Sequence, residues 1–398
     1  MHAIVARAKE LEEQLIAWRR DLHAQPECSF QEKKTAAYVV EILTTIPGMV
    51  VKTNVGGYGV VGSLKAGSGK TIALRADMDA LPITEMNQVP YVSKNPGAMH
   101  ACGHDAHTAI LLGAAVLIGE LMRSGTITGT VLFLFQPAEE AMDVNGKTGA
   151  VHMIEAGVLK GVDMAFALHV CPWHEKETVQ LHKGASMASY DVFKGRIKGT
   201  GGHGAYPHLG VDPIWLLSQV LPVLYSVPGR RTSPLEPTVL SIGKIQTGEA
   251  NNVIPEEVYL EGTIRCYNEK IRESISHEVK RAFQLADVFG GKGSCEIERG
   301  EPALINDEDA VEVIKLTAQA LYPEEKIVDE PYGLGSEDFA HIAQSCKAAM
   351  FFLGCKPTHG QFDLHTPDFQ IDETCLIKGT ALMAGITLQT LGAEGEEG

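Results

Sequence analysis

One eight-residue segment concentrates the side chains that bind transition metals. It reads His100-Ala-Cys102-Gly-His104-Asp105-Ala-His107, and so holds a thiol, three imidazoles and a carboxylate. A second segment, Gln136-Pro-Ala-Glu139-Glu140, carries two adjacent carboxylates. Sulfur, nitrogen and oxygen donors with a spare acid nearby are the inventory of a transition-metal hydrolytic site. The pattern predicts metal-dependent hydrolysis.

The two adjacent glutamates are the strongest part of this pattern. Neighbouring carboxylates after a buried strand cost free energy unless a positive charge neutralises them, as a divalent cation would. Adjacent residues of an extended segment point to opposite sides. One of Glu139 and Glu140 can therefore bind metal while the other faces the substrate as a general base.

The histidines and the cysteine also admit plainer interpretations. Cys102 and His104 suit a loop that enters a helix, where the alternative is a buried thiol beside a helix cap. His107 is a candidate second ligand, but a place behind the ligands is the better prediction for it and for His100. His169 follows an apolar run, and such a histidine is more often structural unless a metal site lies nearby.

The elements that must position these side chains follow an α/β pattern. Helical spacing of apolar residues predicts helices over residues 4–23, 31–43 and 106–122. Short apolar runs predict strands over residues 59–64, 71–76, 130–135 and 163–168. Buried strands alternating with helices indicate a mixed sheet with helices on both faces. Asp77 and Asp79, the glutamate pair and His169 follow three of these strands, where ligands of open α/β sheets gather.

The middle of the chain differs in charge and in element order. Residues 186–300 hold 13 Lys or Arg and 13 Asp or Glu, so their net charge is zero. Their order of predicted elements is βαββαβ, which is typical of a ferredoxin-like unit. We therefore expect a catalytic domain formed by residues 1–185 and 301–398, with residues 186–300 inserted into it.

Two glycine-rich segments imitate nucleotide-binding motifs. Residues 199–204 fit a dinucleotide fingerprint, but Pro207 and Pro213 interrupt the helix that must follow it. Residues 67–71 resemble the end of a phosphate-binding loop, but Leu64 stands where that motif needs glycine. We interpret residues 67–71 as a hairpin turn between two strands.

Composition limits the partners and the compartment. The net charge of −16 argues against nucleic acid or an anionic membrane as partner. The longest apolar run, eleven residues from Ala109 to Gly119, is too short to span a bilayer. Eight scattered cysteines suit reduced thiols in the cytoplasm. The acidic tail, residues 393–398, is expected to be disordered.

Five motifs together resemble a known family. They are Arg75-Ala-Asp77-Met-Asp79-Ala-Leu-Pro82, His100 to His107, Gln136 to Glu140, Gly201-Gly-His203 and Gly335-Ser-Glu337-Asp338-Phe339. In this order they resemble the aminoacylase/carboxypeptidase family of dinuclear metallohydrolases. The most similar branch is that of the N-acyl-amino-acid amidohydrolases, which includes hippurate hydrolase, indole-acetyl-amino-acid hydrolase and acetyl-diaminopimelate deacetylase relatives.

The resemblance implies a role for each site residue. Two divalent cations (zinc, manganese, nickel or cobalt) would be held by Cys102, His104, Glu140, His169 and His365. Glu139 would be the general base that acts with a metal-bound hydroxide. Support behind the ligands is assigned to Asp77, Asp79 and Asp105.

The resemblance also implies a role for the middle segment. It would be a lid that mediates formation of a homodimer or a higher homo-oligomer. His203 would polarise the amide carbonyl, often in the partner's active site. Asn252 and Arg265 would hold the substrate carboxylate.

The expected reaction is hydrolysis of an N-acyl-L-amino acid, a small molecule, to a carboxylic acid and a free amino acid. The alternative within the same machinery is a dipeptidase or a metallocarboxypeptidase. Two alternatives of other classes are a thiol hydrolase that uses Cys102 and a non-catalytic metal-binding protein. The preferred acyl group, amino acid and metal stay open at the level of sequence.

Overall fold

The computed structural model describes residues 1–360 and 362–392, which form two compact units. The first unit comprises Met1–Gly184, Ile305–Tyr332 and the chain from Asp338 onward. The second comprises Ala185–Leu304 and Gly333–Glu337. The tail predicted to be disordered, residues 393–398, lies outside the described residues.

A mixed eight-stranded sheet forms the centre of the first unit. In spatial order its strands are β1 (Val50–Lys52), β2 (Val60–Ala66), β4 (Gly129–Gln136), β3 (Thr71–Asp77), β5 (Met164–Cys171), β16 (Lys347–Gly354), β6 (Thr178–Gln180) and β15 (Lys326–Val328). Strands β4, β3, β5 and β16 are parallel neighbours, so their carboxyl ends share one edge. The predicted mixed α/β fold is confirmed at this level.

The predicted hairpin at residues 67–71 is wrong. Strands β2 and β3 flank this segment, but β4 lies between them and pairs with both. Glycines allow the chain to reverse there, yet they do not determine which strand becomes the hydrogen-bonded neighbour. The later strand β4, buried along most of its length, takes that place.

Eight helices are described in the first unit. They are α1 (His2–Glu10), α2 (Glu12–His23), α3 (Lys33–Thr44), α4 (His104–Arg123), α5 (Gly149–Glu155), α9 (Glu308–Leu321), α10 (Phe339–Ala343) and α11 (Cys375–Leu391). The single helix predicted over residues 4–23 is divided at Leu11, whose amide bonds to Ala8 instead of continuing the helix. The division lets α1 pack against α11 while α2 packs against α4.

Helix α4 is the central helix of the first unit. This 20-residue helix is long and apolar enough to cross a membrane, by length and composition alone. However, 83% of its most apolar stretch is buried inside the protein. Helix α4 packs against α11 and α2 as well as against β3, so it is a core helix. Its first turn carries His104.

The second unit contains a four-stranded antiparallel sheet. Its strands are β8 (Ser189–Lys198), β10 (Thr238–Gln246), β12 (Glu257–Cys266) and β13 (Lys292–Arg299), in the spatial order β10-β12-β8-β13. Helix α6 (Pro213–Arg230) lies between β8 and β10 in the chain, and α7 (Glu269–Phe283) with α8 (Leu285–Val288) lies between β12 and β13. Both long helices bury apolar side chains against the sheet.

Shorter elements complete the chain. They are β7 (Gly184–Met187), β9 (Gly202–His203), a 3₁₀-helix (Pro207–Leu209), β11 (Val253–Ile254) and β14 (Leu304–Asn306). The start of α6 follows directly from sequence, because Asp212 accepts hydrogen bonds from the amides of Ile214 and Trp215 and Pro213 occupies the first helical position.

Candidate metal centre

The predicted ligands come from four segments of the first unit. Cys102 and His104 lie where a loop enters α4, and Glu140 lies in the turn after β4. His169 is on β5, and His365 is on the loop after β16. The edge shared by the parallel strands therefore gathers all five residues.

Gly103 fixes the loop that carries two of these ligands. It has a φ of +88° and precedes the first residue of α4. A Cβ at this position would lie 2.3 Å from Cγ2 of Val170. Only glycine meets both conditions, so Cys102 and His104 are held on either side of a contact with β5.

The thiol of Cys102 lies between two imidazoles. Its Sγ is 3.4 Å from Nε2 of His169 and 3.3 Å from Nε2 of His365. Nδ1 of His169 lies 2.8 Å from the carbonyl oxygen of Val170, to which it can donate, so its Nε2 presents a lone pair to the site. Burial raises the pKa of the Cys102 thiol well above its usual range, and the carboxylates of Glu140 and Glu139 raise it further. A cation would reverse this preference, because a coordinating thiol is deprotonated.

His104 has one nitrogen held by the protein and one that is not. Its Nδ1 lies 3.2 Å from Oδ1 of Asp79. Its buried Nε2 has no hydrogen-bond partner among the described residues. Burial lowers the pKa of His104, but the carboxylates of Asp77 and Asp79 outweigh it and raise that pKa to about 10. A carboxylate behind one nitrogen and an open second nitrogen are typical of a metal-binding histidine.

Glu140 provides the second unpaired acceptor. Its buried Oε1 has no hydrogen-bond partner in the described part of the chain. That oxygen lies 3.7 Å from Nε2 of His104 and 3.4 Å from Nε2 of His365. Buried polar atoms are almost always hydrogen-bonded, so two orphaned atoms facing one another require an explanation. A cation between them would satisfy both.

Three overlapping groups of side chains have the spacing of a metal site. In each group the potential ligand atoms lie within 4.8 Å of one another. The three groups are Cys102, His104 and His169; Cys102, Glu140 and His365; and His104, Glu139 and Glu140, and a fourth group in the first unit is Asp77, His104 and His107. Cys102, His104 and Glu140 each belong to two of the three overlapping groups, so the arrangement can serve more than one ion. Sulfur, imidazole and carboxylate donors suit zinc and related divalent metals.

Asp77 and Asp79 support this arrangement from behind. Asp77 accepts a hydrogen bond from Arg75 at 2.7 Å and lies 2.6 Å from Nδ1 of His107. Asp79 accepts from Ser29 at 2.7 Å and from the amide of Glu140 at 3.0 Å. Both nitrogens of His107 are occupied, because its Nε2 also accepts from the amide of Val170 at 2.9 Å. The geometry therefore places His107 behind the ligands.

The family model for peptidase family M20/M25/M40 matches residues 73–389 of this sequence. The chain belongs to this family. The family resemblance drawn from the motifs is thus confirmed.

Individual relatives match between 75% and 96% of the chain. N-acetyl-L-cysteine deacetylase of Bacillus subtilis is 39% identical over 376 residues, which cover 93% of this chain and 86% of the relative. N-acyl-L-amino acid amidohydrolase of Geobacillus stearothermophilus is 40% identical over 305 residues, or 75% of this chain and 80% of the relative. Thermostable carboxypeptidase 2 of Saccharolobus solfataricus is 36% identical over 390 residues, or 96% of each chain.

A solved M20 structure has the same fold. It is a Bacillus subtilis protein described as a dinuclear metal binding peptidase, with 32% identity and a TM-score of 0.83. The match covers 96% of this chain and 99% of that one.

Asp105 and His100 belong to none of the candidate ligand groups found among the described residues. Asp105 pairs with Nε of Arg19 and lies the same distance, 2.7 Å, from Nδ1 of His23. Burial alone would raise the pKa of Asp105, but the charges of Arg19 and His23 hold it well below its usual range. Burial lowers the pKa of His100 to about 4, and neither of its nitrogens has a hydrogen-bond partner among the described residues. Asp105 therefore anchors α4 to α2 and does not orient a ligand directly.

The three remaining predicted residues belong to the second unit. His203 lies on β9, which pairs with β11, and the amide of Gly204 donates to the carbonyl of Asn252 at 2.8 Å. His203 and Asn252 are thus close neighbours and both are exposed. Arg265 lies at the opposite end of β12, stacked 4.7 Å from the ring centre of Tyr190 and donating to the carbonyl of Leu334 at 3.0 Å. Within the second unit, therefore, Arg265 and His203 are not neighbours.

Sequence reasoning missed the N-terminal residues that support the site. Ser29 reaches Asp79, and Glu32 accepts a hydrogen bond at 2.8 Å from the amide of Ala138, a residue 106 positions away. Neither residue belongs to a cluster of chemically distinctive side chains. A lone Ser or Glu carries no sequence signal for such a distant contact.

Proposed function

We propose that this M20 chain is a metal-dependent amidohydrolase that converts N-acyl-L-amino acids to a carboxylic acid and a free amino acid. The observation that carries the proposal is the convergence of thiol, imidazole and carboxylate groups around the orphaned Nε2 of His104 and Oε1 of Glu140. Relatives named for N-acetylcysteine and N-acyl-amino-acid substrates support the substrate class.

The proposal includes two divalent cations, chosen from zinc, manganese, nickel and cobalt. Their ligands are Cys102, His104, Glu140, His169 and His365. When bound, such cations polarise the amide carbonyl and acidify the attacking water. The description of the Bacillus subtilis structure as dinuclear supports the number of ions.

Glu139 is the proposed general base. Its carboxylate removes a proton from the water that attacks the amide carbon. The same proton then passes to the amide nitrogen as the carbon–nitrogen bond breaks, so the amine leaves neutral and the base is restored. A positioned carboxylate of this kind contributes on the order of 10²–10⁴ in rate.

The family resemblance supports roles for three residues of the second unit. His203 donates a hydrogen bond to the carbonyl oxygen as negative charge develops there, which is worth about 2.7–4 kcal/mol in comparable sites. Asn252 and Arg265 hold the substrate carboxylate, and the planar guanidinium of Arg265 favours bidentate binding. Because Arg265 lies at the other end of β12 from Asn252, contributions from two subunits to one site would reconcile these roles.

We also propose that residues 186–300 form a ferredoxin-like lid that mediates dimerisation or a higher homo-oligomer. The strand order β10-β12-β8-β13 with two crossing helices supports the lid's topology. Exposed apolar side chains on α6 and β10 support an interface, since large apolar residues rarely face water together without a partner. They are Ile214, Trp215, Val223, Tyr225 and Ile245. Eight cysteines without a disulfide support a reducing compartment, the cytoplasm.

An exopeptidase is the second candidate. The Saccharolobus carboxypeptidase, 36% identical to this chain, favours it. The same hydrolytic groups would act on a dipeptide or a C-terminal residue. The two candidates differ only in what occupies the acyl side of the scissile bond.

A substrate panel with metal control tests the proposal. Purified protein, with each divalent metal added in turn, is assayed against N-acetyl amino acids, hippurate and dipeptides. We expect the highest kcat/KM for an acyl amino acid, loss of activity with a chelator and recovery with metal. Higher kcat/KM for dipeptides would select the exopeptidase. Inactivation by alkylation alone would indicate a thiol hydrolase, and bound metal without hydrolysis a non-catalytic protein.

A further inference from the structure

The turn that carries Glu139 and Glu140 contains a residue in an unfavourable backbone conformation. Ala138, directly before Glu139, has a φ of +47° and is fully buried. Residues with a Cβ rarely adopt this left-handed region, so surrounding contacts must hold them there. The direction in which Glu139 and Glu140 leave the turn depends on that conformation.

The side chain of Glu32 makes the contact that holds Ala138. Oε1 of Glu32 accepts from the amide of Ala138 at 2.8 Å and from the amide of Phe30 at 2.9 Å. Phe30 also has a positive φ, +63°. One buried carboxylate oxygen thus joins two left-handed residues from distant segments, and its two lone pairs suffice for both donors.

The other hydrogen bonds of the turn involve different backbone groups from the Ala138 amide, which donates to Glu32. The carbonyl of Ala138 accepts from the amide of Gly149 at 2.8 Å, and the amide of Glu140 donates to Asp79 at 3.0 Å. A Cβ on Gly149 would lie 1.6 Å from the carbonyl oxygen of Pro137, so this side of the turn is closely packed. Glu32 therefore binds the backbone amide of the residue directly before the proposed base.

Glu32 does not serve its own helix. It precedes α3, but its side chain makes no capping hydrogen bond. Glu27 provides that contact, since its Oε2 accepts from the amides of Lys34 and Thr35. Oε2 of Glu32 has no hydrogen-bond partner among the described residues, and burial together with the charge of Asp79 raises the pKa of Glu32 to about 7. Burial of the Glu32 carboxylate costs free energy, and both hydrogen bonds of its Oε1 go to the amides of residues with a left-handed backbone, Phe30 and Ala138.

We propose that Glu32 is a positioning residue: it sets the turn that presents Glu140 to the metal and Glu139 to the water. This inference rests on the proposed function for its catalytic consequence. Its structural part, that Glu32 holds the turn, does not.

Two substitutions distinguish the position of the Glu32 acceptor oxygen from the negative charge of its side chain. Glu32→Gln keeps an acceptor oxygen at the same distance but removes the charge, whereas Glu32→Asp keeps the charge and withdraws the oxygen by one methylene. Glu27→Gln is the matched control, because it weakens a neighbouring carboxylate whose hydrogen bonds among the described residues all go to α3. Metal affinity, kcat and KM are measured for each protein. Hydrogen exchange of the amides of residues 138–140 is measured on metal-free protein.

We expect Glu32→Asp to lower metal affinity or kcat by about 10–100-fold, as the loss of groups behind metal ligands does, with little change in KM. Exchange of the turn amides should accelerate in the same variant. Glu32→Gln should stay within about threefold of wild type in affinity and kcat, and Glu27→Gln should change only thermal stability. Glu32→Asp equal to wild type, or Glu32→Gln impaired as much as Glu32→Asp, would overturn the positioning role. A wild-type protein without hydrolysis would instead overturn the proposed function, while unchanged exchange in Glu32→Asp would overturn the inference by itself.

Discussion

At the scale of single residues, the two adjacent glutamates show how neighbouring positions acquire different tasks. Oε1 of Glu140 is buried and faces two imidazoles, and its amide is fixed by Asp79. Both residues are half-buried as a whole, but within the first unit Glu139 belongs to one candidate group of ligand atoms and Glu140 to two. This difference suits one carboxylate to metal binding and the other to proton transfer.

Substituting each glutamate in turn tests this division. We expect Glu139→Gln to retain full metal content while kcat falls by about 10²–10⁴, because the amide cannot accept a proton. Glu140→Gln is the matched comparison. Its main defect should be a lower metal affinity and not a lower kcat at saturating metal. Metal content by elemental analysis and kcat at saturating metal distinguish the two. Near-normal turnover in Glu139→Gln would contradict the base assignment.

Sequence revealed the residues whose neighbours in the chain are also their neighbours in space. Cys102 and His104 are two positions apart, and Glu139 adjoins Glu140, so their chemistry is visible as a local pattern. His365 became a candidate only through resemblance to the family. Glu32 was not predicted, because its contact with Ala138 depends on how two distant segments pack.

At the scale of elements, the entrance to α4 is the most constrained connection. Gly103 must adopt a left-handed φ and also lie against Val170. Gly97, in the preceding loop, has a similar φ of +80° but would have nothing within 4 Å of an added Cβ. Comparing the two separates backbone strain from steric contact.

Alanine at these two glycines should therefore have different consequences. We expect Gly97→Ala to cost about 1–3 kcal/mol of unfolding free energy from backbone strain alone. Gly103→Ala should cost more and also weaken metal binding, because the clash with Val170 displaces Cys102 and His104. Urea denaturation and metal titration measure both effects. Equal losses in the two variants, with metal affinity unchanged, would show that the contact with Val170 is unimportant.

The buried pair that joins α2 to α4 gives a prediction with a defined pH dependence. Asp105→Asn leaves the buried Arg19 with Glu373 as its remaining counterion, 3.2 Å from Nη1, and losing the fully buried partner costs up to about 3–5 kcal/mol. The folded-state pKa of Asp105 is depressed. Its stabilising effect is therefore present above the unfolded value of about 3.9 and is lost as pH falls below it. Burial lowers the pKa of His23, but Asp105 helps to raise it above its ordinary value, so near neutral pH the difference from wild type also includes His23. Urea denaturation of metal-free protein should show the Asp105 part of that difference shrinking as pH falls below about 4. A difference that grows as pH falls below about 4 would contradict the role of this pair.

Element types were more predictable than their partners. Apolar runs and periodicity identified α4 and the strands β2, β3, β4 and β5 of the central sheet because burial determines both. The break at Leu11 and the position of β4 between β2 and β3 were not predicted. Both depend on which distant surfaces an element covers, and local sequence does not specify that.

At the scale of the whole molecule, the two units differ in how they meet solvent. The candidate metal centre lies among buried groups of the first unit, whereas helix α6 of the second exposes Trp215 and Tyr225 at 47% and 57%. Such exposure supports the proposal that another subunit covers this surface.

Changing that surface should change the oligomeric state. We expect Tyr225→Glu to shift the protein from a dimer or higher oligomer toward monomer in sedimentation experiments, because the charge would have to be desolvated in the interface. Leu316→Glu is the control, since Leu316 is exposed at 44% on α9 of the first unit. A monomeric wild-type protein, or an unchanged oligomer in Tyr225→Glu, would contradict the proposed interface.

Reconstitution of metal-free protein with cobalt tests the central claim most directly. The account predicts that about two equivalents bind, that a cobalt–thiolate charge-transfer band appears in wild type and is absent in Cys102→Ser, and that hydrolysis of an N-acetyl amino acid rises with the bound metal. Undiminished hydrolysis by the metal-free protein, or metal binding without the thiolate band, would contradict it.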